Sequence, residues 1–172
     1  MLDRSLIAFE ASNGFSSRAG HPITHVVIHV TEGSWPGCKE WLKYKTELQT
    51  QRSAHYCVSR GGKIVQLVHE YDKAWHACNA NPFSIGVEHE GFSDQHKPTW
   101  KGTMPDSQWR ASLSLVASIC DSYLIPYFHV LGHDDPWLKQ YGNDHTDPGQ
   151  YIDMVQYRTE LSQLLHPGGT QK

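Results

Sequence analysis

The sequence predicts a single α/β domain with a central mixed β-sheet flanked by α-helices. Three observations carry that expectation. Strand-like alternation or β-prone composition recurs at residues 24–30, 54–59, 63–68 and 84–90, and Arg60-Gly61-Gly62 between the middle two is a hairpin signal. Stretches with helical spacing fall among and after these runs, so strands and helices intermix along the chain. The 172 residues suit one domain with a substantial core, and no internal repeat or low-complexity linker divides them.

Taken in order, residues 1–22 form an irregular N-terminal arm, because Ser, Gly and Asn separate Phe9 from Phe15. Residues 23–166 form the domain proper, and 167–172 a frayed tail. In the first strand His25, Val27 and His29 share one face while Val26, Ile28 and Val30 share the other. Cys38-Lys39-Glu40-Trp41-Leu42 opens a helix of about three turns, with Trp41, Leu42 and Tyr44 partly inward. The hairpin follows, then Trp75-His76-Ala77 on an aperiodic loop, where an exposed Trp-His pair suits a sugar-peptide ligand. A tucked tryptophan with His76 capping a turn is the plainer alternative.

The strand at 84–90 puts Ser84, Gly86, Glu88 and Glu90 on one face and Ile85, Val87 and His89 on the other. A carboxylate within such a strand needs a partner, which marks Glu88; Glu90, further along, reads as a solvated strand-end charge. Residues 92–104 read as a loop able to wall a groove, and Thr103 to Asp106 as a helix cap. Trp109, Leu113, Val116, Ala117, Cys120 and Leu124 then recur at helical spacing, and Pro126 ends that helix. Asp153 caps a last helix with Met154, Tyr157, Leu161, Leu164 and Leu165 as its inward stripe.

Composition excludes several classes. The net charge of −3 and the absence of a basic run leave no footprint for nucleic acid. No apolar stretch approaches the ~20 residues of a membrane span, so no membrane anchor is expected. The N-terminus lacks the charged and apolar regions of a signal peptide, which implies cytoplasmic synthesis. Cys38, Cys57, Cys78 and Cys120 show no C-x-x-C spacing, so a zinc ribbon is excluded and reduced thiols are expected.

Twelve histidines are the anomaly, and they point to metal or proton chemistry. His133 follows the apolar approach Val130-Leu131-Gly132, and Asp147 is held by the turn Pro148-Gly149. With His29 at the end of the first strand, these residues offer two imidazoles and a carboxylate. Such a set leaves a fourth position for water on a catalytic zinc ion. The competing reading makes His29 a hydrogen-bonded core histidine and the aspartates loop caps.

Six blocks in order carry a resemblance. They are Val27-Ile28-His29-Val30-Thr31, Ser53-Ala54-His55-Tyr56, Ala74-Trp75-His76-Ala77, Ser84 through Gly91, Leu131-Gly132-His133-Asp134 and His145-Thr146-Asp147-Pro148-Gly149. Together they resemble the type 2 N-acetylmuramoyl-L-alanine amidases, relatives of the peptidoglycan recognition proteins. The resemblance implies Zn2+ held by His29, His133 and Asp147, with Glu88 beside the attacking water. It implies a substrate in bacterial peptidoglycan or muropeptides, cut between N-acetylmuramic acid and L-alanine. His145 stands where many relatives have lysine and is expected to stabilise the oxyanion. Thr31, His55, Trp75 and His76 are expected on the substrate side, His55 in a supporting or structural role. Ala54 replaces a tyrosine of several relatives, and Cys78 a glycine. A monomeric phage endolysin acting on the wall after release is the expected role. A cytoplasmic enzyme recycling muropeptides and a non-catalytic peptidoglycan binder are the alternatives.

Overall fold

A computed structural model of the chain describes residues 2–43, 52–93 and 104–167. The strands are β1 (Ala8–Phe9), β2 (Phe15–Ser17), β3 (His25–Val30), β4 (Tyr56–Val58), β5 (Ile64–Gln66), β6 (Asp72–Ala74), β7 (Ser84–His89) and β8 (Val130–Gly132). The α-helices are α1 (Gly37–Lys43), α2 (Asp106–Tyr123) and α3 (Met154–Leu165). Six strands form a mixed sheet in the order β1-β5-β4-β7-β3-β8, and β2 pairs with β6 apart from it. This is the α/β architecture the sequence predicts.

The alternation along β3 sorts its residues as expected. Val26, Ile28 and Val30 join Ile85 and Val87 of β7 against Leu113, Val116 and Ile119 of α2 and Tyr157 and Leu161 of α3. On the opposite face Val27 packs with Ala77, Ala80, Leu131 and Leu138. Both faces of the parallel strands are thereby covered, as such sheets require.

The strands β3, β7 and β8 run parallel, so their C-terminal ends meet at one edge. His29 stands directly beside Glu88 in the β3–β7 register. Ile28 stands beside Gly132, and the His133 N–H donates to the Ile28 carbonyl at 3.0 Å. Three separate segments are thus aligned to within a residue at the edge where open α/β sheets bind ligands.

Several elements differ from the expectation. The first 22 residues are not an irregular arm: β1 pairs in parallel with β5 at the sheet edge, and β2 pairs antiparallel with β6. Arg18, only 5% exposed, donates to the carbonyls of Glu70, Asn81, Pro82 and Ser84, which ties this segment into the interior. On α1, Leu42 is buried but Trp41 is half exposed; Tyr44 lies outside the described residues. The groove-wall residues 94–103 and the tail from 168 also lie outside them.

The N-cap of α2 is Pro105, with no side-chain cap. Leu124 does not pack inward; it closes the helix in a left-handed conformation and is 88% exposed. Residues 127–129 form a single 3-10 turn, so the strand before His133 is only β8. On α3, Asp153 caps as expected by accepting from Val155 N and Gln156 N, but Leu164 faces outward.

Candidate metal centre and active-site cleft

The strand ends deliver His29 and His133, and the loop before the cis Asp147–Pro148 peptide delivers Asp147. Asp147 Oδ1 lies 2.9 Å from His133 Nδ1, and Oδ2 lies 3.4 Å from His29 Nδ1. The Val30 N–H donates to Oδ2 at 3.2 Å and fixes the carboxylate over the end of β3. Bonds of 2.0–2.2 Å to a tetrahedral zinc ion place neighbouring ligand atoms about 3.3–3.6 Å apart. Asp147 approaches the two imidazoles through different oxygens, and one candidate ligand atom from each of the three residues lies within 4.8 Å of the other two, within reach of a single ion.

The electrostatics suit a cation. Burial works against the Asp147 charge, but the hydrogen bonds with His133 and His29 outweigh it and hold the carboxyl far below its usual range. Burial, with His133 adjoining, lowers His29 to about 4, so its imidazole is neutral at pH 7. An ionised carboxylate and a neutral imidazole are the protonation states a metal ion needs.

Glu88 stands beside this group with its carboxyl pushed well above the usual range, first by burial and then by Asp147. Its Oε2 is buried without a hydrogen-bond partner among the described residues, as is His133 Nε2. Buried unsatisfied carboxylate oxygens are costly, so this atom is aimed at something the protein alone does not supply. Glu90 differs from Glu88 and from its expected solvated state. Its two oxygens accept from the Trp35 and Arg60 backbone N–H groups, which makes it a brace between loops.

The group opens into a cleft of about 970 Å³ lined also by Thr31, Trp75, His76 and His145. His145 stacks on His133 with ring centroids 4.2 Å apart, and its Nδ1 lies 3.8 Å from Asp147 Oδ1. Its side chain is 57% exposed, so it faces whatever enters. Thr31 Oγ1 donates to the Gly33 carbonyl. Trp75 is half buried and donates its indole N–H to Ser16 Oγ, so the Trp-His pair is not a free loop tip.

His55 does not reach the cleft. It is fully buried, receives the Gly86 N–H on Nδ1 and presents Nε2 to the Asp72 carbonyl, with the Arg18 guanidinium alongside. Its ring has no exposed atoms to offer a substrate, and its contacts are those of an interior hydrogen-bonded residue. Sequence reasoning passed over Trp41, Arg52, Lys73 and Asn81, which line the same cleft. No disulfide joins the four cysteines; Cys78, exposed at the cleft, has φ +49°, the conformation that favours glycine.

The family model for N-acetylmuramoyl-L-alanine amidase, type 2, matches residues 19–150, which include the cleft and all three candidate ligands. The chain belongs to this family. It is 37% identical to N-acetylmuramoyl-L-alanine amidase A of Achromobacter lyticus, over 92% of each chain. It is 34% identical to the 1,6-anhydro-N-acetylmuramyl-L-alanine amidase AmpD of Haemophilus influenzae, over 69% of this chain and 64% of that one. Among solved structures, an AmpD derivative superposes with a TM-score of 0.72 at 22% identity, over 92% of this chain and 98% of that chain. AmiD of E. coli, in complex with anhydro-N-acetylmuramic acid-L-Ala-D-γ-Glu-L-Lys, gives 0.66 at 25% identity, over 89% of this chain and 66% of that chain. Among the described residues of this amidase-family chain, no helix is long and apolar enough to cross a membrane.

Proposed function

We propose that the chain hydrolyses the amide joining the lactyl group of N-acetylmuramic acid to L-alanine in bacterial peptidoglycan, with a zinc ion held by His29, His133 and Asp147. The observation that carries this reading is the convergence of two imidazoles and an ionised carboxylate within reach of one metal ion, beside the unpartnered Glu88 oxygen. Membership of the amidase family supplies the substrate class, and the AmiD complex with a muropeptide supports a glycopeptide in the equivalent cleft.

When bound, zinc polarises the amide carbonyl and lowers the pKa of water from 15.7 to roughly 7. Glu88 accepts the proton of the attacking water and hands it to the departing L-alanine nitrogen, a sequence for which its raised carboxyl affinity for protons is suited. His145 directs a ring N–H at the oxygen that gains charge in the tetrahedral state. Burial of His29 at the end of β3, and the contacts of Asp147 with His29, His133 and the Val30 N–H, hold both in place.

Metal analysis tests the site. Purified protein reconstituted with zinc is expected to hold one equivalent, and His29→Ala, His133→Ala and Asp147→Ala to hold it far more weakly, because three protein ligands leave no redundancy. Stoichiometric zinc in the Asp147 variant would reassign that ligand position. Two biological roles fit the chemistry: lysis of the wall by a phage endolysin, and recycling of soluble muropeptides. The second is favoured by the AmpD relatives, whose name specifies the 1,6-anhydro substrate. Comparing turnover on intact sacculi with turnover on soluble anhydromuropeptides separates the two.

A further inference from the structure

His76 belongs to the cleft lining, yet its ring is committed elsewhere. Its Nδ1 lies 3.0 Å from His29 Nε2, the nitrogen on the side of His29 away from Asp147. An imidazole that gives one nitrogen to a metal carries its proton on the other. With Nδ1 of His29 given to the zinc ion it would share with Asp147, its proton lies on Nε2, which donates to His76 Nδ1. The His76 proton must then sit on Nε2, 3.2 Å from Ser84 Oγ, and the Ser84 hydroxyl in turn donates to the Ala80 carbonyl at 2.8 Å. Each link has one donor and one acceptor, so the chain fixes the tautomer of His29 from behind.

The surroundings hold His76 in that position from three sides. A Cβ at Gly86 would fall 2.5 Å from His76 Cγ and 2.7 Å from Nδ1, so the ring lies on bare strand backbone. Asn81 Oδ1 accepts from both His76 N at 2.9 Å and Ala77 N at 2.6 Å, which locks the loop. His55, bonded to the Gly86 N–H, stands edge-on to His76 with centroids 5.6 Å apart. A ring built for substrate contact would not need a glycine floor, a buried serine acceptor and a pinned backbone.

We propose that His76 is a positioning residue for His29, with Gly86 as its cradle and Ser84 as the anchor of its tautomer. The inference rests on the zinc reading of His29. It assigns to the Trp-His segment a role in metal affinity.

Zinc dissociation constants, measured by competition with a chromophoric chelator, test it on the wild type and three variants. His76→Leu keeps bulk without an acceptor and is expected to weaken zinc by ~10–100-fold, the loss typical of removing such a partner. His76→Asn places an amide oxygen where Nδ1 stands and is expected to recover most of that loss. Gly86→Ala is expected to resemble His76→Leu. Melting of the metal-free proteins serves as the fold control, and His76→Asn against His76→Leu keeps the comparison valid if Gly86→Ala does not fold. Wild-type zinc affinity in His76→Leu, accompanied by a raised KM, would overturn the proposal and return His76 to the substrate. Absence of zinc binding in the wild type would instead remove the metal centre itself.

Discussion

Glu88 and Asp147 are both partly buried carboxylates facing one cleft, and their environments push them in opposite directions. Asp147 stays ionised between His133 and His29, while Glu88 holds its proton more strongly than a free carboxyl does. Two acids driven apart in this way fit the proposed division between metal binding and proton transfer. Glu88→Gln is therefore expected to leave fold and zinc content intact and to lower turnover by about 10²–10⁴. Zinc content, melting and turnover measured on one preparation decide it, and near-normal turnover with zinc bound would remove Glu88 from the proton path. Glu90 is a poor substitute in that event, because backbone N–H groups occupy both its oxygens. His145→Ala is expected to retain zinc and lose about 10²-fold in kcat, as when a single oxyanion donor is removed; an unchanged kcat would leave His145 a stacking partner of His133. His29, His133 and Glu88 were legible in the sequence as polar residues at the end of, or within, apolar strand patterns, and Asp147 as a carboxylate held by the Pro148-Gly149 turn. The burial of His55 and the back-to-back contact of His29 with His76 were not. Both depend on pairings across dozens of residues, and only Gly86 inside a strand hinted at a close approach.

At the scale of elements, register does the aligning. Because β3 neighbours both β7 and β8 in parallel, a one-residue slip of β3 would turn His29 to the opposite face of the sheet. The hairpin joining β4 to β5 supports this register from the other side, since Cys57 stands beside Glu88. Its turn residue Gly62 has φ +83°, and a Cβ there would meet the Ser107 carbonyl oxygen at 2.8 Å. Gly62→Ala is expected to lower stability by roughly 1–3 kcal/mol through strain and that clash. Urea unfolding reads the loss, and an unchanged midpoint would show that the turn tolerates a side chain at this position. The central strands, the hairpin and the inner stripes of α2 and α3 were readable from periodicity and turn chemistry. The strands β1 and β2 were not, because two or three residues carry no period and their order comes from Arg18 and the partners β5 and β6. Leu124 misled because it continues the helical spacing of α2 into the residue that ends it.

Across the whole molecule, burial of histidines makes the fold sensitive to acid. Burial, with Arg18 nearby, lowers His55 to about 3, and burial lowers His89 to about 4. Both lie below the 6.5 of an unperturbed imidazole, so the unfolded chain binds more protons than the folded one as pH falls. Stability is therefore full above pH 6.5 and declines from there toward pH 4, by up to ~1.4 kcal/mol per pH unit for each of these two histidines. Urea midpoints of the metal-free protein at pH 7, 6 and 5 follow the decline, and a flat series would contradict it. The same packing that buries these rings presents His29, Glu88, His133 and Asp147 at one edge, and the central claim is that this edge cuts an amide with a metal ion's help. Purified peptidoglycan treated with chelated and with zinc-reconstituted enzyme tests that claim most directly. New N-terminal L-alanine without new reducing sugar ends, appearing only with the reconstituted enzyme, is the predicted result. Reducing ends in place of alanine amines, or equal release by the chelated protein, would contradict it.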